Sequence, residues 1–480
     1  MLDLRSVGYL LGLIVAALGA AMFLPVFIDL RMGNGSWPGF LQSALATLTC
    51  GGLVALACHG GGGGFGPKPS LVLAVLIFTL VPGFGALPYL VVEPRLGPLD
   101  AWFEAVSALT TTGATLMTGL QDLPAGLQLW RGMLGWFGGL GFIGVALVLL
   151  PQLRVGGMSY FRAATFDGSG HILPRVVQAG RDLALFYPVM TLLCALVYLA
   201  LGMAPLAATV AAMSTLSTSG IGLTDASFTG QSTALHLAAV LFMLVASMPY
   251  LRLVQALSRA PGPLARDPQV RAYLLWLLLA LALVLAYRLS SAPDGRASLV
   301  EALFNLVSVF SGTGFRSGDF ALWGPFVVVV ALVLGVIGGC TGSTSSGLGL
   351  FRVLVLRGVI RAQIARVQMP HRVALVRYDG RSVSDEVIDQ VLIYIGGYFA
   401  ALVGLSILLA ATGIGAGQAV LMVWACLSNI GGFFGAGLAP GATMSELGIA
   451  GKLLLMLAML IGRLGLVGLL VLASRRFWVG

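Results

Sequence analysis

Four short stretches of this chain hold residues that could do chemistry on an ion. They read Thr110-Thr111-Thr112-Gly113, Ser217-Thr218-Ser219-Gly220, Ser311-Gly312-Thr313-Gly314 and Ser428-Asn429-Ile430-Gly431. Each opens with a hydroxyl residue three places before a glycine, and each lies in a strongly apolar region. An enzyme would need a nucleophile–base pair or a metal constellation within these regions. The sequence holds no HExxH and no paired intramembrane His/Asp set. The backbone is the other source of chemistry. Non-helical backbone at membrane depth leaves carbonyls unpaired, which is tolerable only where they line a cavity or coordinate something. Four such turns about one axis would supply rings of carbonyl oxygens that replace a cation's hydration shell. Glycine allows the positive φ that successive inward carbonyls demand. The expected ion-contacting residues are Thr111, Thr112 and Gly113; Thr218, Ser219 and Gly220; Gly312, Thr313 and Gly314; and Asn429, Ile430 and Gly431. Close helix packing by small residues would account for one such stretch, but it sets no common register for four.

The elements that must position these turns follow from composition. The chain has 480 residues, 58% of them hydrophobic and 9% charged, with a mean hydropathy of +0.98. This is the profile of an integral membrane protein. Apolar windows of about 20 residues predict ten spans, near 8–28, 39–58, 70–92, 128–151, 183–204, 233–256, 269–290, 323–356, 390–412 and 450–473. The first run is too long for a signal peptide and is read as a span. Before each turn lies a shorter apolar segment: "PLDAWFEAVSALTTTGAT", "PLAATVAAMSTLSTSGIG", "SLVEALFNLVSVFSGTGF" and "QAVLMVWACLSNIGGFFG". These are too short to cross and suit re-entrant half-helices, whose C-terminal ends would turn negative dipole towards a cation. The expected fold is an all-α membrane protein with ten transmembrane helices and four re-entrant pore half-helices in a pseudo-fourfold, channel-like arrangement. It divides into a two-helix extension (1–67) and repeats over 68–180, 181–267, 268–380 and 381–480.

Charge placement orients the chain. Arg154, Arg162, Arg175 and Arg181 share one expected loop, and Arg352 to Arg381 fill another. The positive-inside rule puts both loops, and both termini, in the cytoplasm, so all four half-helices enter from outside. The net charge of +9 is read as this bias. Nothing resembles a basic face with base-stacking aromatics, so no nucleic-acid partner is expected. No span carries regularly spaced arginines, which excludes a voltage sensor. The five cysteines (Cys50, Cys58, Cys194, Cys340, Cys426) are expected to be buried small residues rather than disulfides or metal ligands.

With the turns and their register in hand, the chain resembles the Trk/Ktr/HKT superfamily of potassium transporters, in its TrkH branch of pore-forming subunits. Besides the turns, the resemblance rests on "WRGMLGWFGGLGFIGVALVLLP", "GGCTGSTSSG" and "MLIGRLGLVGLLVL". It implies potassium as the transported ion, no cofactor in this chain, a homodimer, a bacterial inner membrane and a cytoplasmic TrkA-type regulatory subunit that binds a nucleotide (NAD or ATP/ADP). It also implies an intramembrane gate, which matches Gly338, Gly339, Cys340, Thr341, Gly342, Ser343, Thr344, Ser345, Ser346 and Gly347, with Arg463 beside it. Ten residues without a large apolar side chain cannot hold a straight, rigid helix, and an intramembrane arginine is costly unless it pairs or faces water. Three positions depart from the family pattern: Gly349 stands for a lysine, Gly432 for a proline and Gly465 for a glutamate. A tightly coupled potassium–proton or potassium–sodium symporter is the rival reading. Carriers of that kind place several charges and broken helices at midplane, whereas Arg463 and one break qualify here. Spacing alone leaves potassium over sodium open.

Other features carry less. The glycine-rich "HGGGGGFGPKPS" lacks the lysine–hydroxyl ending of a phosphate loop and is read as a connector. His236 is expected to be a core histidine and Arg316 a structural brace. Glu104 and Glu301 are taken as matching residues that either stabilise helix N-termini or attract cations.

Overall fold

The computed structural model describes residues 4–60, 66–144, 172–258, 262–291, 299–369, 371, 374–435, 437–439 and 443–479. Arg154, Arg162, Arg372, the middle of the glycine-rich connector and the last part of the expected 128–151 span lie outside them.

Helices α1 (Leu4–Ala21) and α2 (Phe23–Met32) form one apolar run, and α3 (Trp37–Ala57) returns beside it. Glycine lets these backbones touch: a Cβ on Gly12 would come within 2.5 Å of the Ala55 amide nitrogen, and one on Gly19 within 2.5 Å of that of Leu48. Four related units follow. The first has α4 (Pro67–Thr79), α5 (Val81–Gly85), α6 (Leu87–Val91), short α7 (Pro98–Leu109), a polar turn and α8 (Ala125–Gly144). The second has α9 (Ile172–Ala200), short α10 (Pro205–Ser217), a turn, α11 (Thr233–Ala246) and α12 (Tyr250–Ser258). The third begins with α13 (Gly262–Arg266) and α14 (Pro268–Ser291). It continues through short α15 (Leu299–Ser311), a turn and α16 (Pro325–Ile337) to α17 (Leu350–Gln368). The fourth has α18 (Asp385–Ala410), short α19 (Ala416–Leu427), a turn, α20 (Ile449–Leu464), α21 (Leu466–Ala473) and α22 (Arg475–Val479).

Six helices or continuous runs are long and apolar enough to cross a membrane, and two bent pairs raise this to eight among the described residues. Two expected straight spans are therefore broken. Helices α11 and α12 meet at 103°, because Pro249 cannot continue the hydrogen-bond ladder. Helices α20 and α21 meet at 107°, where Gly465 takes φ 81°. The 323–356 span is interrupted where its ten small and polar residues were expected to break it, since α16 stops at Ile337. An unexpected two-stranded hairpin, β1 (Arg377–Tyr378) and β2 (Arg381–Ser382), stands between α17 and α18. Its Asp379-Gly380 turn has φ 49° and 78°, as a two-residue hairpin requires.

Burial sorts the helices into layers. The ends of the short helices are buried on all sides, from Phe103 to Leu109, from Phe304 to Ser311 and from Met422 to Leu427. A helix apolar and buried all round belongs at the centre. The long helices expose leucines and isoleucines such as Leu185, Leu192, Leu278 and Ile407, as lipid-facing helices do. All five cysteines are free. Cys194, Cys340 and Cys426 are buried as expected, whereas Cys50 is exposed on α3 and Cys58 is half-buried.

Candidate functional site

The four turns share one backbone plan. In each, the amide just before the last residue's glycine donates to the carbonyl five places earlier. The distances are 2.8 Å for Thr112 to Ser107, 3.0 Å for Ser219 to Ser214, 2.9 Å for Thr313 to Ser308 and 2.7 Å for Ile430 to Ala425. The second residue of every turn is left-handed: Thr111 at φ 55°, Thr218 at 53°, Gly312 at 78° and Asn429 at 50°. Three of these are not glycine, so the fold holds strained backbone there. The final glycine is left-handed in Gly113, Gly220 and Gly314, at φ 71°, 66° and 83°. Gly431 is not, which corrects the expectation of positive φ at all four. Sequence reasoning named Thr111, Thr218 and Asn429 as ion-contacting residues but expected positive φ only at the glycines. The available signal was Gly312, which occupies the same place in the third copy.

Hydroxyl pairs brace three turns: Thr110 Oγ1 to Thr112 Oγ1 at 2.8 Å, Ser217 Oγ to Ser219 Oγ at 3.0 Å, and Ser311 Oγ to Thr313 Oγ1 at 2.7 Å. In the fourth, Ile430 takes the partner's place and Ser428 Oγ turns to Tyr398 Oη at 2.7 Å.

The turns touch one another in cyclic order. A Cβ on Gly113 would overlap the Ser219 carbonyl oxygen, and one on Gly220 would overlap that of Thr313. A Cβ on Gly314 would sit 3.3 Å from Ile430 Cγ2, and one on Gly431 would sit 2.6 Å from Ala114 Cβ. The Gly432 amide donates to the Thr112 carbonyl at 3.3 Å and joins the fourth turn to the first. Proline, lacking that N–H, could not make this bond. Above the ring opens a cavity of about 350 Å³ that includes Gly113, Gly220, Gly432, Arg131, Asp225 and Arg316. Asp225 Oδ2 accepts from the Gly119 amide at 2.8 Å, and the Arg316 guanidinium donates to the Asp225 carbonyl. Arg316 thus braces neighbouring units, as expected.

On the other side of the ring runs the irregular stretch between α16 and α17. Gly338, Gly342, Gly347 and Gly349 all have positive φ there. It lies against the third turn: a Cβ on Gly312 would be 3.2 Å from the Ser346 amide nitrogen. Ser345 Oγ accepts from the Gly339 amide at 2.9 Å, and Ser343 Oγ donates to the Cys340 carbonyl at 2.7 Å. Thr344 Oγ1 donates to the Leu216 carbonyl at 3.1 Å, at the end of α10. Arg463 reaches the stretch from α20 and is buried, with its guanidinium carbon 3.7 Å from the Phe142 ring centre. Arg463, Ser346, Gly347 and Tyr394 help line a cavity of about 50 Å³ beneath the ring, large enough for several waters.

The break between α11 and α12 grips the same stretch, which sequence reasoning missed. The Cys340 amide donates to the Ser247 carbonyl at 3.0 Å, and the Tyr250 amide to the Gly342 carbonyl at 3.1 Å. Tyr250 Oη lies 3.1 Å from the Leu216 carbonyl and 3.2 Å from Thr344 Oγ1. The other singled-out residues fall as follows. His236 is buried with Nδ1 3.0 Å from the Ser232 carbonyl, a core histidine. Glu104 does not match Glu301. Its counterpart by position and bonding is Asn305, and Glu104 accepts from the Leu116 amide at 2.6 Å beyond the first turn.

A family profile named TrkH and described as "Cation transport protein" matches residues 70–478. The chain belongs to the TrkH family. It is 34% identical over 414 residues to the Trk system potassium uptake protein TrkI of Halomonas elongata, covering 86% of this chain and 84% of that one. It is 30% identical to the Trk system potassium uptake protein TrkH of Vibrio parahaemolyticus, covering 99% of this chain and all of that one. The crystal structure of the potassium transporter TrkH from Vibrio parahaemolyticus superposes with a TM-score of 0.89 at 29% identity, covering 99% of this chain. TrkH membership and the apolar helices make this a multi-pass membrane transport protein. The match to TrkH relatives takes in α1 to α3, which precede the matched family region.

Proposed function

We propose that this chain is a potassium uptake pore, whose filter is the ring of turns at Thr110–Gly113, Ser217–Gly220, Ser311–Gly314 and Ser428–Gly431. The observation that carries the proposal is the closed cyclic contact of four turns with one backbone plan. Left-handed residues alternating with ordinary ones, as at Thr111 and Gly113, let successive carbonyls face one way, and stacked rings of carbonyls can replace potassium's hydration shell. Four buried short helices support the reading of four half-helices, each ending at the ring. Counted as crossings in this reading are the six long runs, the two bent pairs, the interrupted pair α16 and α17, and helix α8. The architecture is then ten spans in a pseudo-fourfold arrangement, the extension 1–67 followed by four repeats. Potassium comes from the names of the relatives at 30–34% identity.

In this reading, residues 338–347 and Arg463 form a gate below the filter. The chain acts as a homodimer in the bacterial inner membrane with both termini cytoplasmic. A TrkA-type subunit carrying NAD or ATP/ADP sets the gate from the cytoplasm. The deciding experiment is flux into liposomes with potassium, rubidium, sodium and lithium compared side by side. Potassium and rubidium are expected to enter well ahead of sodium and lithium. Equal entry of all four, or none above empty liposomes, would sink the proposal.

A further inference from the structure

The four repeats are not equivalent behind the ring. Nine residues before the glycine, the first turn has Glu104 and the third has Asn305; three residues after it, they have Leu116 and Ser317. Glu104 Oε1 accepts from the Leu116 amide at 2.6 Å and from Thr115 Oγ1 at 2.8 Å. Asn305 Oδ1 accepts from the Ser317 amide at 3.0 Å, and its Nδ2 donates to the Ser317 carbonyl at 2.8 Å. A second pair of bonds repeats the match. Ser107 Oγ donates to the Ala114 carbonyl at 2.6 Å and Ser308 Oγ to the Phe315 carbonyl at 2.5 Å, each one residue past the glycine. All four side chains are buried. The second repeat has Ala211 at the place of Glu104, and its Ser214 bonds instead to the Ser219 hydroxyl at 3.1 Å. The fourth has Met422 and Ala425, which offer no polar atom but the Met422 thioether.

We infer that Glu104 with Ser107, and Asn305 with Ser308, are matched positioning residues that hold two opposite sides of the ring rigid and so set its ion discrimination. This deepens the reading of the ring as a filter and rests on it. The strands leaving the first and third turns have no helix or sheet ladder, so their positions depend on side-chain bonds, whereas the fourth turn runs directly into a 3-10 turn at Gly431–Phe433. In the cyclic order of contacts the first and third turns stand opposite each other, and both are clamped twice. The second and fourth lack this clamp; the second strand instead meets the Arg131 guanidinium, which donates to the Gly222 carbonyl at 3.3 Å. Glu104 also shares a small cavity with Gly113, Ser107, Tyr89 and Arg131, so its carboxylate stands directly behind the first turn. A ring loosened on its clamped sides accommodates the smaller sodium ion more readily, since discrimination depends on ring size and ligand field.

The test is the potassium-to-sodium flux ratio of purified full-length variants in liposomes, with monodisperse oligomers confirmed first. Glu104→Ala and Asn305→Ala are each expected to lower the ratio about tenfold, the factor that about 1.4 kcal/mol represents. Glu104→Gln keeps an acceptor for the same two donors and is expected to stay within about twofold of the parent. Met422→Leu, at the matching unclamped place, is expected to leave the ratio unchanged. Should either alanine variant fail to fold, Ser107→Ala and Ser308→Ala each remove one hydroxyl and are expected to lower the ratio about threefold. Clamp variants that fold with the parent's ratio overturn the inference, as does a Met422→Leu loss equal to theirs. A parent that does not favour potassium overturns the filter reading with it, which separates the two failures.

Discussion

Arg463 Nη1 donates to both the Thr344 carbonyl and the Ser346 hydroxyl, each at 3.0 Å. The side chain is 4% exposed, and among the described residues its Nε and Nη2 have no hydrogen-bond partner. A buried guanidinium so placed both tethers the irregular stretch and puts positive charge beside the ring. Hydrogen bonds from a charged donor contribute about 1.5–3 kcal/mol each. Arg463→Ala, and separately removal of Ser343 to Ser346, should therefore raise potassium flux about tenfold or more and make it less dependent on the regulator. Lower flux from both variants as intact oligomers would make the stretch a support for the filter and not a gate.

Tyr250 fastens the same stretch from the other side through its hydroxyl, to the Leu216 carbonyl and Thr344 Oγ1. Tyr250→Phe keeps the buried ring and removes only the O–H. It should raise basal flux severalfold, consistent with about 1 kcal/mol of lost tether, with little change in the potassium-to-sodium ratio. A changed ratio with unaltered flux would assign Tyr250 to the filter instead.

Gly113 has both positive φ and no space for a Cβ, which would overlap the Ser219 carbonyl oxygen. Gly113→Ser should lower potassium-over-sodium discrimination more than total flux, because it displaces the contact between the first and second turns. An unchanged ratio in liposomes would rule the first turn out of the filter.

Asp29 ties the N-terminal helices to the first repeat. It is fully buried and accepts from the Gly126 amide at 2.7 Å, Ser36 Oγ at 2.7 Å and Asn34 Nδ2 at 3.1 Å. The Gly126 bond caps the start of α8, where a carboxylate also meets the positive helix end. Asp29→Ala should destabilise the protein by about 2 kcal/mol, and Asp29→Asn by less, read as the thermal midpoint in detergent. Identical midpoints would mean that α1 to α3 fold independently of the pore units.

Arg361 and Arg366 stand exposed on α17. Neutralising them with Arg372 should weaken co-purification with a co-expressed TrkA-type subunit while membrane insertion stays intact. Undiminished co-purification would leave the positive-inside bias as the whole reason for these charges.

The recurrence of four hydroxyl–glycine turns was legible because it is local and repeated. So was the interruption at 338–347, since ten small or polar residues cannot sustain a helix in an apolar span. The φ signs were legible only where glycine occurred. Thr111, Thr218 and Asn429 are left-handed because the amide that follows each must reach back to Ser107, Ser214 or Ala425. Straight spans were expected at 233–256 and 450–473 because hydropathy measures apolar length and carries no direction. Pro249 and Gly465 were visible as breakers, but either residue can be absorbed by a gentle bend.

The amino-acid sequence by itself determined the membrane class, the recurrence of the four hydroxyl–glycine turns and the break at 338–347. These follow from apolar periodicity and residue conformational preference, which act over a few residues at a time. Only the tertiary structure decided that Asn305 bonds behind its turn as Glu104 does behind the first, and that the α11–α12 break holds the irregular stretch. It alone decided that Arg463 meets Thr344 across 119 residues of chain and that Thr344 meets Leu216 across 128. Those pairings depend on how whole units pack around a common centre, and a buried polar group takes whichever partner that packing brings within reach.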